Sequence, residues 1–243
     1  MDGLLKCSRY AFGPNRLHYC GPDASAEVKA YIDNGVQDFG LAKLLTGFRT
    51  MYPYLQLIAG ANGIADPFDV RVVEAYWLGN DLLTGITKQQ LYIHLLDTLQ
   101  LKKRLGVKHF EYVKTAIGNG AMPHHNFHVF DIWKRNGNSE REHTLDSLDS
   151  CRISWGKVIK AEGPALEIQN NPLTISHGQI KIDETQTKKI FRHLESSYDI
   201  EQLKPGQIVS IHWGVPCEII TKNQAKVLDK LTLKHLAIAN QSL

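Results

Sequence analysis

The chain has 243 residues, 43 % of them hydrophobic and 22 % charged, with a formal net charge of +3. That length suits one large domain or two small ones and buries enough surface to fold without disulfide staples. The ordinary composition excludes disordered and fibrous classes, and the small, scattered positive excess gives no reason to expect nucleic acid or a membrane as partner.

The first residues, MDGLLKCSRYAFGPNRLHYCGPD, lack the apolar core of a signal peptide. Nowhere does an apolar run approach the ~18 residues of a membrane span. Cys7, Cys20, Cys151 and Cys217 form no Cys-x-x-Cys pair, so free thiols in a reducing, cytoplasmic setting are expected. Within this stretch, residues 10–23 read as a rigid loop of Gly-Pro and Pro-Asn turns whose aromatics pin the N-terminus to the helices.

Residues 24–106 carry helical periodicity. SAEVKAYIDNG runs from a cap at Ser25 to a stop at Gly35, and LAKLLTGFRTMYPYLQLIAGANG continues with a break near Pro53. Asp66-Pro67 marks the next start. Thr87 with Gln90 forms a capping box, and Gly106 ends that helix. The densest basic run, LKKRLGVKH at 101–109, reads as a solvated helix end.

From about residue 126 the pattern changes to short alternating runs separated by Gly, Pro and Asn: NFHVFDIWKR, CRISWGKVIKAEG, PALEIQNN, PLTISHGQIKIDE and GQIVSIHWGVPCEII. TQTKKIFRHLESSYDIEQL reads as a helical excursion between strands. A second capping box, Thr221 with Gln224, opens the last helix. The expected fold is therefore α+β: a mostly helical domain over 1–133, a polar junction over 134–150, and a small OB-like β-barrel with a C-terminal helix over 151–243.

Two groups of residues suggest chemistry. In AMPHHNFHVFDIW, His124 and His128 share a side on either a strand or a helix, whereas His125 on a strand faces opposite. Two imidazoles need a third donor to hold a catalytic metal, and His94, His18, Cys20 and Asp131 are the choices. No glutamate stands between them as in His-Glu-x-x-His, which excludes that zinc-protease pattern. Gly-x-Gly-x-x-Gly and Gly-x-Ser-x-Gly motifs are likewise absent.

The second group is Cys151 and His212. Cys151 is followed by four residues and then Gly156-Lys157-Val158, and LKPGQIVSIHWGVPCEII carries His212 and Gly214 before a closing helix. In this order and spacing the C-terminal third resembles hydrogenase-assembly chaperones of the HypC/HupF type. The resemblance implies an OB-like barrel and a non-catalytic role in nickel-iron hydrogenase maturation. It implies iron, with cyanide and carbonyl ligands, held through Cys151 and His212, and a hydrogenase large-subunit precursor or maturation protein as partner. The chain departs from that family in placing the cysteine after a whole domain rather than at the N-terminus. The alternative is a metalloenzyme with its site at His124 and His128 and the barrel as a docking module. A thiolate beside an imidazole suits a soft or borderline metal in either case.

Overall fold

The computed structural model describes residues 2–133, 144–193 and 202–241. Helix α1 (Gly3–Arg16) starts under Asp2, whose carboxylate accepts the Leu4 N–H. The segment expected to be a loop of turns is thus helix as far as Arg16. Its apolar residues Cys7, Tyr10 and Ala11 are buried against the other helices, and that burial outweighs the local turn preferences of Gly13-Pro14.

Helix α2 (Ser25–Asn34) stops at Gly35, which takes the left-handed conformation at φ 62° that glycine adopts without a side-chain clash. Asp38 caps α3 (Phe39–Thr46) by accepting from Gly40 and Leu41. The chain breaks before α4 (Met51–Ala61), and Pro53 falls in its first turn, where no helical bond needs its N–H. Asp69, not Asp66, caps α5 (Val70–Trp77); Asp66 instead accepts from Phe68 N–H just upstream.

Both partners of the Thr87–Gln90 capping box are engaged at the start of α6 (Lys88–Ile93). In α7 (Leu101–Gly118) the backbone leaves helical geometry at Gly106, with φ 80° and ψ 167°, and then resumes. The stretch 125–132, expected as a strand, is helical: α8 (His125–Phe127) runs into a wide π-helical turn, His128–Ile132. The expected junction is only partly described: 134–143 lie outside the described residues, and 145–151 form α9 (Leu145–Cys151), capped by Thr144. Cys151 therefore closes a helix rather than opening a strand.

The strands are β1 (Ser154–Glu162), β2 (Ala165–Asn170), β3 (Leu173–Ser176), β4 (Gln179–Ile182), β5 (Gln186–Phe191), β6 (Ile208–His212) and β7 (Val215–Ile220). Five of them form one antiparallel sheet in the order β5-β2-β1-β6-β7, and β3-β4 is a separate hairpin. The expected barrel is corrected here: among the described residues β5 and β7 are the two edges of the sheet and are not hydrogen-bonded to each other, so the sheet is open and the OB-like description fails. Closure needs hydrogen bonding between the first and last strands, and helices cover the sheet instead. The helical excursion expected over 185–203 is instead strand over Gln186–Phe191, and 194–201 lie outside the described residues.

Helix α10 (Lys222–Asn240) opens on the Thr221–Gln224 box and packs on the α8 region and β4. One hydrophobic core runs through both halves, from Cys7 and Tyr54 to Ile153, Cys217 and Leu228. A buried polar link ties the same parts together. Lys6 lies 3.2 Å from both Glu74 of α5 and Glu218 of β7, and the Tyr10 hydroxyl donates to Glu218 at 2.6 Å. A charge at this depth is tolerable because each partner is paired. α1 is thereby fixed against the sheet.

Candidate metal centre

Three element termini converge on one spot. His125 is the first residue of α8, Cys151 the last of α9 and His212 the last of β6. Their ligand atoms all lie within 4.8 Å of one another. A tetrahedral ion at ordinary bond lengths sets such donors roughly 3.5 Å apart, so a small tightening brings them onto one metal. The protein has a buried His/Cys/His cluster able to coordinate a metal ion.

The local folding that builds the cluster is specific. β6 and β7 turn through Trp213 and Gly214, both with positive φ (51° and 72°), and His212 pairs with Val215 across this tight two-residue hairpin. The Trp213 N–H donates to Ser150 O at 2.8 Å, which docks the turn on the end of α9 and brings His212 to Cys151. On the other side, His125 Nε2–H donates to the Cys151 carbonyl at 2.9 Å, while Tyr76 O–H faces His125 Nδ1 at 3.2 Å. His212 Nδ1–H donates to Tyr10 O at 2.7 Å. Its Nε2 is buried and makes no hydrogen bond of ordinary geometry.

His212 thus shows the arrangement of a metal-binding histidine, one N–H held by a carbonyl and the other nitrogen presenting a lone pair. Both His125 nitrogens, by contrast, are engaged, with Cys151 O and the Tyr76 hydroxyl, and one of these contacts gives way if a metal is bound. The His125 and His212 rings meet edge to face at 4.9 Å, and the Trp77 ring lies 4.7 Å from the first and 5.5 Å from the second. Burial lowers the His212 pKa to about 4 and pushes that of His125 well down, with the His212 charge adding to the latter. Both are neutral at pH 7, as a metal requires. Burial drives the Cys151 thiol in the other direction, strongly up; nearby Cys20 adds to this and the Trp213 indole opposes it. Without a metal the sulfur keeps its proton.

The cluster lines a cavity of about 220 Å³. Tyr19, Trp77, Trp133 and Trp213 form aromatic walls, and Arg104 and His128 also face the space. Tyr19 stacks on Trp213 at 4.1 Å and meets Trp133 edge-on at 6.4 Å.

Of the residues singled out in the sequence, Cys151 and His212 stand together in this cluster, while His124 and His128 are not part of it. His124 is the extended cap of α8, with φ −113° and ψ 149°, so helical i, i+4 spacing does not apply to the pair. Its Nδ1 accepts the Asn126 N–H, and its ring stacks on His235 at 5.9 Å. His128 lies with its Nδ1 3.3 Å from the Tyr54 hydroxyl. Among the proposed third donors, His18 is exposed beside Asp23, His94 packs on Tyr54, Asp131 is buried on the π-helical turn, and Cys20 lines the cavity. His125 was the donor that strand periodicity turned away. Its signal was local: in Pro123-His124-His125 the first histidine can cap a helix, and the second then starts it on a different face.

Neither the curated proteins nor the solved structures offer a match to this chain. Nothing in the open sheet or in these comparisons lends support to the hydrogenase-chaperone reading, and it is not carried further. A family model covers residues 1–243, the whole chain, and the protein belongs to that family, a family of unknown function (DUF6390).

Proposed function

We propose that this protein binds one borderline transition-metal ion through the Cys151 thiolate and the His125 and His212 imidazoles, with zinc(II) as the ion that fits the donors best. The observation that carries the reading is that one ligand atom each of His125, Cys151 and His212 lies within 4.8 Å of the others, with His212 Nε2 buried and without a hydrogen bond of ordinary geometry. Leaving a buried nitrogen unpaired costs about 1–3 kcal/mol, and a metal bond removes that cost. Iron(II) accepts the same donors, and metal analysis of the purified protein separates the two.

Three protein donors leave a further position open, the pattern of catalytic rather than structural zinc. That position borders a cavity, which supports a metalloenzyme acting on a small molecule. The bound ion would supply Lewis acidity. The chain's own part is to hold the imidazoles in the correct tautomer through Tyr10 O and Cys151 O, to orient the thiolate, and to exclude bulk water with the aromatic walls.

A copper electron-transfer centre is the second reading, favoured by one observation: Met51 lines the same cavity, and two histidines, a cysteine and a distant methionine form the set of such sites. Met51 Sδ, however, already accepts the Cys7 thiol at 3.4 Å. The test is reconstitution of the metal-free protein with zinc, iron(II) or copper, followed by elemental analysis. One equivalent in the wild type, lost in Cys151→Ala and His212→Ala, is the expected result. A wild type that takes up no metal, or a Cys151→Ala protein that keeps it, overturns the proposal. An intense visible thiolate-to-copper band in the copper-loaded protein would move the assignment to the second reading.

A further inference from the structure

We infer that the cavity beside the metal cluster binds a small organic acid, with its carboxylate paired to Arg104 and its apolar body laid along the aromatic walls. The inference takes its catalytic sense from the metal reading above, because the open metal position then faces the body of the bound acid. Its own basis is the composition of the cavity wall.

Among the described residues no aspartate or glutamate lines the cavity. Arg104 is the one arginine among the described residues that line it, and no lysine does. A divalent ion with one thiolate adds a further net positive charge at the buried end. Both sources of field have the same sign, and low-dielectric walls focus it. At the outer end of the cavity an anion has a partner in the arginine.

Arg104 is itself exposed, whereas His125 and His212 are 8 % and 1 % exposed. The cavity thus joins a solvent-accessible guanidinium to the buried cluster. A guanidinium holds a carboxylate through two parallel N–H bonds, which fixes direction as well as charge. Between the two ends the walls are Tyr19, Trp133 and Trp213, mutually packed rings that match an apolar or aromatic body better than a sugar or a nucleotide phosphate. Among the described residues no salt bridge to Arg104 competes for its charge.

Benzoate and benzyl alcohol serve as probes, since they share a ring and differ in the charged group. Three of the four tryptophans line the cavity, so binding is read by quenching of tryptophan fluorescence, with Trp155→Phe removing the remote emitter. Zinc-loaded protein is expected to bind benzoate more tightly than benzyl alcohol. Arg104→Gln should weaken benzoate about ten-fold, roughly 1.4 kcal/mol, and leave benzyl alcohol unchanged. Equal affinity for the two probes, no quenching by either, or an equal loss of both in Arg104→Gln would overturn the inference. Elemental analysis of the same samples keeps the two ideas apart. A protein that holds zinc but ignores benzoate fails only the organic-acid inference; one that binds benzoate through Arg104 yet never takes up metal fails only the metal reading.

Discussion

His212 donates its Nδ1–H to the carbonyl of Tyr10 at 2.7 Å, and that carbonyl is open because residue 14 is proline. In α1 the N–H of residue 14 would bond the carbonyl of residue 10, and proline has none. The neighbouring Gly13 completes the arrangement. A Cβ there would lie 2.7 Å from His212 O and 3.2 Å from Trp213 Cβ, so only glycine lets the helix approach the hairpin this closely. The Gly-Pro dipeptide therefore sets the orientation of a metal-binding imidazole two hundred residues away.

Two substitutions probe this contact. Gly13→Ala forces backbone against backbone, and overpacking of this kind costs about 1–3 kcal/mol; denaturant unfolding should show the loss. Pro14→Ala behaves differently. It supplies a competing N–H to Tyr10 O, so the fold holds while metal affinity falls, and titration with a chromophoric chelator measures it. Unchanged affinity in Pro14→Ala would remove Tyr10 O from the set of groups that position His212.

Asn126 does for Cys151 what Tyr10 does for His212. Its Oδ1 accepts the Ile153 N–H at 2.7 Å, and its Nδ2 donates to Ile153 O at 3.0 Å and Thr232 Oγ1 at 2.9 Å, all without exposure to water. This one side chain ties α8, which carries His125, to the chain just after Cys151 and to α10. Asn126→Ala leaves a buried backbone N–H and C=O unpaired, at about 1–3 kcal/mol each. Thermal unfolding should come roughly 5–15 °C earlier. Asn126→Asp, which keeps the size but cannot donate, should be no better than alanine.

Metal uptake should depend on pH through a single group. The two histidines are already neutral near pH 7, since burial holds His212 at about 4 and His125 below its ordinary value. The Cys151 thiol, pushed up by burial, must lose its proton when the ion arrives. Apparent affinity is then expected to rise about ten-fold per pH unit between pH 6 and 8, with one proton released per metal. Isothermal titration in buffers of different ionisation enthalpy counts that proton. A count near zero would mean that the sulfur is not the ligand.

How much of this was legible depended on the range of the interaction concerned. The boxes at Thr87–Gln90 and Thr221–Gln224 and the stop at Gly35 are each decided within a few residues, and they read directly. Gly156 was visible as a motif, but its reason was not: a Cβ there would sit 2.7 Å from Ile168 Cδ1 on the neighbouring strand. The open sheet was illegible because alternation marks strands without saying whether the last pairs with the first. His125 was missed for a related reason. Residues 125–132 have the β-branched and aromatic content of a strand, yet burial against α10 and α5 makes them helical, and a change of period re-aims every side chain. Cys151 and His212 were noticed as types in order; what joins them, the Trp213 N–H on Ser150 O, is a contact no spacing records.

Acid should unfold the protein through its buried histidines. Burial lowers the pKa of His94 to about 4 and of His128 to about 3, and that of His235 well below its ordinary value, with His124 and Lys234 adding to the last. In the unfolded chain all three titrate near 6.5. Above that pH both states leave them neutral and they contribute no pH dependence. Below it the unfolded chain takes up protons that the folded protein refuses, at these three rings and at the likewise buried His124, His125 and His212, so stability falls as pH falls. The slope approaches about 1.4 kcal/mol per pH unit for each such group until its folded-state value is reached. Chelator-treated protein should therefore hold a flat melting temperature from pH 8 to 7 and lose it steeply below pH 6. His235→Gln, if it folds, should flatten the slope by about one proton; a wild-type melting temperature level down to pH 4 would mean that these rings are not buried neutral.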